Sequence, residues 1–103
     1  EYDILNPNFV INKTKEQIKV TANEGNFIND NEILLTNNVI FKSDKFKILS
    51  DDVLFDKIKQ TARSNNDSLF FSKKTVIKSE GFKMLEQGDK IVFNGRTTLM
   101  LDK

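Results

Sequence analysis

The chain has 103 residues, of which 38% are hydrophobic and 30% charged, so it is long enough for one domain with a modest core. Its net charge of +1, with acids and bases interspersed, gives no basic field of the kind that attracts nucleic acid. Cysteine and histidine are both absent, which excludes disulfides, thiolate metal sites and a Ser-His-Asp triad. We therefore expect a non-enzymatic single domain over residues 1–103, with no catalytic residue, no metal and no cofactor.

The N-terminus begins abruptly with "EYDILNPNF". No apolar run of the chain reaches the roughly 18 residues that a membrane-spanning helix needs. We expect that a segment upstream has been removed.

Alternation of apolar and polar residues predicts strands along most of the chain. In "EILLTNNVIFKS", Ile33, Leu35, Val39 and Phe41 share one face. The stretch Asp51–Ala62 also fits a helical stripe. The following residues form the predicted apolar set of the later strands: Phe46, Ile48, Val53, Phe55, Leu69, Phe71, Ile77, Phe82, Met84, Ile91, Phe93, Leu99 and Leu101.

Turn residues separate these strands at regular intervals. The predicted turns are Asn29–Asn31, Ser43–Lys45, Asn65–Asp67, Glu80–Gly81 and Gln87–Asp89, with a bulge at Asn94-Gly95. The prediction is an all-β, antiparallel fold of strand-turn-strand units. An open trough and a closed sandwich both remain compatible with the residues.

A repeat runs through the chain. "KSDKFKIL" at 42–49 reappears as "KSEGFKML" at 78–85, "NDNEILL" precedes the first copy as "NNDSLFF" precedes the second, and "IKVTA" matches "IKQTA". Such spacing is typical of one supersecondary unit stacked on its copy. We expect the two copies to form equivalent strand-turn-strand units.

Two charged groups have alternative interpretations. Asp51, Asp52 and Asp56 lack the glycine-assisted turn of a calcium loop, so we interpret them as a solvated strand end. Lysines cluster at the repeated hairpins, where they either meet phosphate groups of a ligand or protect exposed strand edges. These lysines are Lys42, Lys45, Lys47, Lys73, Lys74, Lys78 and Lys83.

The chain resembles the LptC family of lipopolysaccharide-export proteins, and more distantly LptA. The likeness lies in "NPNFVINKTKEQIKVTANEGNF", in "LLTNNVIFKSDKFKILSDDVLFD" and in "SEGFKMLEQGDKIVFNGRTTLML", and covers nearly the whole chain from Pro7. Asn37 or Asn38 stands where the family usually has a glycine. A membrane helix precedes the domain in that family.

The resemblance implies a twisted β-jellyroll, open like a trough between two facing sheets. The protein would sit in the periplasm, tethered to the inner membrane, and shield the lipid A acyl chains of lipopolysaccharide. The implied lipid-binding interior is Phe27, Ile33, Leu35, Val39, Phe41, Phe46, Ile48, Val53, Phe55, Phe71, Ile77, Phe82, Met84, Ile91 and Phe93.

The resemblance also implies two docking edges. The C-terminal strand, 90–101, would face an LptA-like protein through Val92, Thr97, Leu99 and Leu101. The N-terminal strand, Phe9 to Val20, would face an inner-membrane ABC transporter through Phe9 and Ile11. Open edges would also allow self-association. The alternatives are an LptA-like soluble bridge and a closed sandwich that binds only protein.

Overall fold

Ten antiparallel strands make up most of the computed structural model, which describes residues 3–12 and 16–101. The predicted all-β, antiparallel fold is confirmed, and the stretch with a helical alternative continues as strand to Asp56 and then turns. A short 3-10 helix, Glu86–Gly88, connects the last two strands. The strands are β1 (Asp3–Leu5), β2 (Asn8–Asn12), β3 (Gln17–Thr21), β4 (Glu24–Phe27), β5 (Glu32–Lys42), β6 (Phe46–Asp56), β7 (Thr61–Ser64), β8 (Ser68–Ser72), β9 (Thr75–Leu85) and β10 (Lys90–Leu101).

Four long strands, β5, β6, β9 and β10, form the framework, and shorter strands pair with them end to end. β4 pairs with the first half of β5 and β3 with its second half. β7 and β8 together fill the space between β6 and β9. Over the described ranges, β1, β2 and β10 each pair with a single neighbour and so form the edges of the sheet.

The sheet folds back on itself, so that one half of its apolar face packs against the other half. Phe9 on β2 and Phe55 on β6 are three strands apart, which is roughly 14 Å along a flat sheet. Their ring centroids nevertheless lie only 5.3 Å apart. Phe41 on β5 and Phe82 on β9, also three strands apart, lie 5.7 Å apart. These pairs join two facing layers, as in a jellyroll.

A kink in β5 helps the chain to turn between the two layers. Asn37 and Asn38 both have a positive φ, 65° and 56°, and the register shifts between Thr36 and Val39. Asparagine adopts this left-handed conformation more readily than other residues with a Cβ. The two asparagines therefore form the kink without a glycine. The bulge predicted at Asn94-Gly95 is confirmed by a register shift and by φ of +74° at Gly95.

The sequence repeat does not become a structural repeat. In the first copy, Ser43 accepts hydrogen bonds from the backbone N–H groups of Lys45 and Phe46, and the chain reverses from β5 into β6. In the second copy, Ser79 and Gly81 lie in the middle of β9. The turn predicted at Glu80–Gly81 is therefore wrong. The turns predicted at Asn29–Asn31, Ser43–Lys45 and Gln87–Asp89 are confirmed, whereas Asn65–Asp67 is a bend between β7 and β8, which run in the same direction along β6.

Tertiary pairing explains this difference between the copies. β9 continues because it must pass first β8 and then β7, and Gly81 lies where these two strands meet. A Cβ at this position would collide with the backbone carbonyl oxygen of Ser64. The equivalent position in the first copy, Lys45, is exposed in a hairpin and has no such neighbour.

Candidate lipid-binding interior and docking edges

One cross-strand row shows how the interior changes from closed to open. Directly paired residues of an antiparallel sheet lie on the same face. The row runs through Val20, Phe41, Ile48, Phe70, Ile77 and Leu99. Its first three members are 0% exposed, the next two are half-buried, and Leu99 is 57% exposed. The apolar interior is thus sealed at β3–β6 and uncovered at the C-terminal half of β10.

Three phenylalanines lie at the border between the sealed and the uncovered parts. The ring of Phe70 is 5.6 Å from that of Phe46 and 5.5 Å from that of Phe93, measured between centroids. All three are half-buried and pack against the core. Aromatic rings in such contact form a continuous apolar surface that is partly accessible to solvent.

The structure brings the predicted interior residues together, with one exception. Half-buried positions at the margin of the core are Phe27, Phe46, Ile77, Ile91 and Phe93. Fully buried positions are Ile33, Leu35, Val39, Phe41, Ile48, Val53, Phe55, Phe82 and Met84. Their contact with lipid stays a prediction, but their common face is a feature of the fold.

The exception is Phe71, for which the expected interior position is wrong. Phe71 pairs with Lys47 and Val76 on the outer face, while the neighbouring Phe70 pairs with Ile48 and Ile77. Alternation within Leu69-Phe70-Phe71 is ambiguous, because three adjacent residues are apolar. The register against β6, which is a tertiary property, decides the face.

β10 is the C-terminal edge. In the part of the chain that the structure describes, its only partner is β9, so one side of its backbone is free. Thr97 and Leu99 are exposed on the interior face, and Val92 is half-buried on the outer face. Leu101 is the last residue of the strand.

The N-terminal edge differs from the prediction of one strand from Phe9 to Val20. Two strands, β2 and β3, pair there as a hairpin, and residues 13–15 lie outside the described ranges. Phe9 is half-buried against Phe55, and Ile11 is 0% exposed in the core. Both side chains point inward, so β2 offers its backbone edge and the exposed side chain of Val10 to a partner.

A cluster of buried hydroxyls that sequence reasoning missed holds β6, β7 and β8 together. The Oγ of Ser50 lies 3.1 Å from the Oγ of Ser64 and 3.0 Å from that of Ser68. Ser64 donates to the carbonyl oxygen of Asp52 at 2.6 Å, and the Asn66 amide donates to the Asp52 carboxylate at 2.7 Å. The cluster lies where β7 gives way to β8, and isolated serines in the sequence carry no signal for it.

Asp52 and Asp56, two of the three acidic residues of β6, have structural partners. Asp56 accepts hydrogen bonds from the backbone N–H groups of Ile58 and Lys59, which closes the turn into β7. Within residues 3–12 and 16–101, no three histidine, cysteine or acidic side chains gather in a way that would hold a metal ion. The same ranges contain no helix with the length and apolarity to cross a membrane.

Comparison with known proteins assigns the family. The family model described as "Lipopolysaccharide-assembly, LptC-related" matches residues 1–100. The chain belongs to this family. No curated protein sequence matches it significantly. Membership in the LptC-related family implies a role in lipopolysaccharide export in the periplasm, as a transport component rather than an enzyme.

Proposed function

We propose that this LptC-related domain shields the acyl chains of lipopolysaccharide with its apolar interior face and passes the lipid along its β10 edge. The observation that carries the proposal is the gradient of exposure from Ile48 through Phe70 to Leu99. An acyl chain requires only apolar area, at about 25 cal/mol per Å² buried. The interior offers such area where the facing layer does not cover it.

The two edges support a direction of transfer. β10 has a free backbone side next to the uncovered interior face, so a strand added there would extend both the sheet and its apolar surface. An LptA-like protein would be the acceptor at this edge. The β2 edge, whose interior side chains are already buried, would face the ABC transporter subunits of the inner membrane. Tethering to that membrane belongs to the same proposal.

A closed sandwich that binds only protein is the competing function, and the sealed centre of the fold favours it. The interior side chains Val20, Phe41 and Ile48 are all 0% exposed, so the interior face at β3–β6 has no room for a lipid chain beside them. The two functions differ in what happens at Leu99. A lipid conduit uses its side chain, whereas a sandwich with protein partners uses only the backbone edge beside it.

The test compares two exposed leucines in a lipopolysaccharide-binding assay on the purified domain. Leu99→Asn removes an apolar side chain from the interior face, and we expect it to weaken binding several-fold. Leu34→Asn, at a 36% exposed position on the outer face, is the matched control and should bind as the unaltered domain does. Equal binding by all three proteins would refute the conduit and favour the sandwich.

A further inference from the structure

The outer face of the sheet carries an amphipathic surface that the conduit does not use. One cross-strand row there runs from Val10 on β2 through Lys19, Lys42 and Lys47, and we call these three lysines the lysine row. The same row continues through Phe71, Val76 and Met100 on β8, β9 and β10. The six residues from Lys19 to Met100 span about 24 Å, since neighbouring strands are about 4.8 Å apart.

Apolar residues extend this surface into the adjacent row. Ile40, Leu49 and Leu69 are directly paired with one another and lie on the same face, two residues along each strand. Together with Phe71, Val76 and Met100 they form the outer patch. Five of the six are half-buried, and Met100 is 51% exposed. The solvent face of an antiparallel sheet is normally polar, so a patch of this size needs an explanation.

The lysine row is electrostatically unfavourable when the domain is alone. Like charges directly opposite each other on neighbouring strands repel. Among the described residues, no carboxylate forms an ion pair with Lys19, Lys42 or Lys47. Lys45, Lys73 and Lys74 add exposed positive charge in the two adjoining turns.

Acidic residues are few at this end of the sheet. Asp44 lies in the hairpin and Glu16, which has its own partner, precedes β3. Neither of the two rows contains an acid. Lys78, in the second row, lines a groove with Asp51 and Asp67 beside Leu49 and Leu69, and it is not a member of the lysine row.

We propose that the outer face docks on an anionic phospholipid bilayer, with the lysine row on the headgroup phosphates and the outer patch at the acyl boundary. Basic side chains beside apolar ones are the chemistry of interfacial membrane binding. A second copy of this chain would present the same unpaired lysines and no acid from either row, which disfavours self-association through this face. The proposal does not depend on lipopolysaccharide binding, because it uses the opposite face of the sheet.

Cosedimentation with lipid vesicles tests the docking. The domain should bind vesicles of equal parts phosphatidylcholine and phosphatidylglycerol, bind pure phosphatidylcholine weakly, and dissociate at high salt. Lys42→Gln with Lys47→Gln should weaken binding by about 25-fold, since each lysine near an anionic surface contributes roughly fivefold. Lys59→Gln with Lys90→Gln removes the same charge from exposed positions at the other end of the strands, and should have little effect.

A tryptophan reporter shows which face meets the lipid. The chain has no tryptophan, so Phe71→Trp gives a single tryptophan in the outer patch, and Leu34→Trp gives one on the same face far from the lysine row. Vesicles with phosphatidylglycerol should shift the emission of the first to the blue and leave the second unchanged. Binding without a shift at position 71, equal losses in the two lysine pairs, or no preference for the anionic vesicles would each overturn the proposal. None of these results bears on Leu99 and lipopolysaccharide.

Discussion

The rings of Phe41 and Phe82 meet edge to face, with centroids 5.7 Å apart and planes at 87°. Their strands, β5 and β9, are nevertheless separated in the sheet by β6 and by β7 and β8, which lie end to end. Both side chains are 0% exposed. This contact joins the two layers of the folded sheet, so the shape of the interior depends on it.

Phe82→Ala should therefore destabilise the domain strongly, by about 3–5 kcal/mol, because it removes an interlayer contact and leaves a cavity. Phe71→Ala, a change of the same size at a half-buried position on the outer face, should cost less than half as much. Denaturant unfolding of the two variants gives the comparison. Equal losses would mean that the assignment of the two faces is wrong.

Gly81→Ala should also be destabilising, although the added methyl group is small. The Cβ would collide with the backbone carbonyl oxygen of Ser64, which cannot move without breaking the pairing of β7 with β9. Overpacking of this kind costs about 1–3 kcal/mol. Gly25→Ala is the matched control, since its Cβ would meet side-chain atoms of Ile33 and Pro7 instead of a paired backbone, and side-chain atoms adjust at lower cost. A smaller unfolding free energy for the Gly25 variant than for the Gly81 variant would contradict this account.

Ser64→Ala tests the buried hydroxyl cluster. The variant leaves the carbonyl oxygen of Asp52 without its 2.6 Å hydrogen bond, at a cost of about 1–3 kcal/mol. A double-mutant cycle with Ser50→Ala should show coupling, because the two oxygens are 3.1 Å apart. Additive effects in thermal or denaturant unfolding would show that the serines act independently.

Two substitutions at Asn38, in the kink of β5, should differ in their effect on stability. Asn38→Ala should destabilise by about 1–2 kcal/mol, because alanine has a steric penalty at a positive φ. Asn38→Gly should be neutral, since glycine adopts that conformation freely. If alanine and glycine gave the same unfolding free energy, the left-handed conformation would not be a constraint on this residue.

The sequence predicts the strands better than it predicts how they combine. Alternation identified the interior positions of β5 and β6, because polar residues such as Thr36, Lys42 and Lys47 mark the outer face of these long strands, although other outer positions there are apolar. It failed at Phe70 and Phe71, where both faces of β8 are apolar and only the pairing with Ile48 decides.

The prediction of two equivalent units from the sequence repeat failed for a related reason. "KSDKF" and "KSEGF" have the same local chemistry, yet one is a hairpin and the other is strand interior. Glycine at position 81 does not make a turn here, because the backbone of Ser64 lies against it. Local patterns contain no information on which distant backbone a residue will meet, and for this reason the docking edges and the outer patch also needed the folded structure.

The most direct test of the central claim is photo-crosslinking at two adjacent residues of β10 in cells that make lipopolysaccharide. Phe93 is half-buried on the interior face beside Phe70, and Val92 is half-buried on the outer face opposite Lys83, away from the lysine row. A photoreactive phenylalanine analogue at 93 should form lipopolysaccharide adducts, and the same analogue at 92 should not. Adducts at both positions alike, or at neither in a folded domain, would contradict an interior that carries acyl chains.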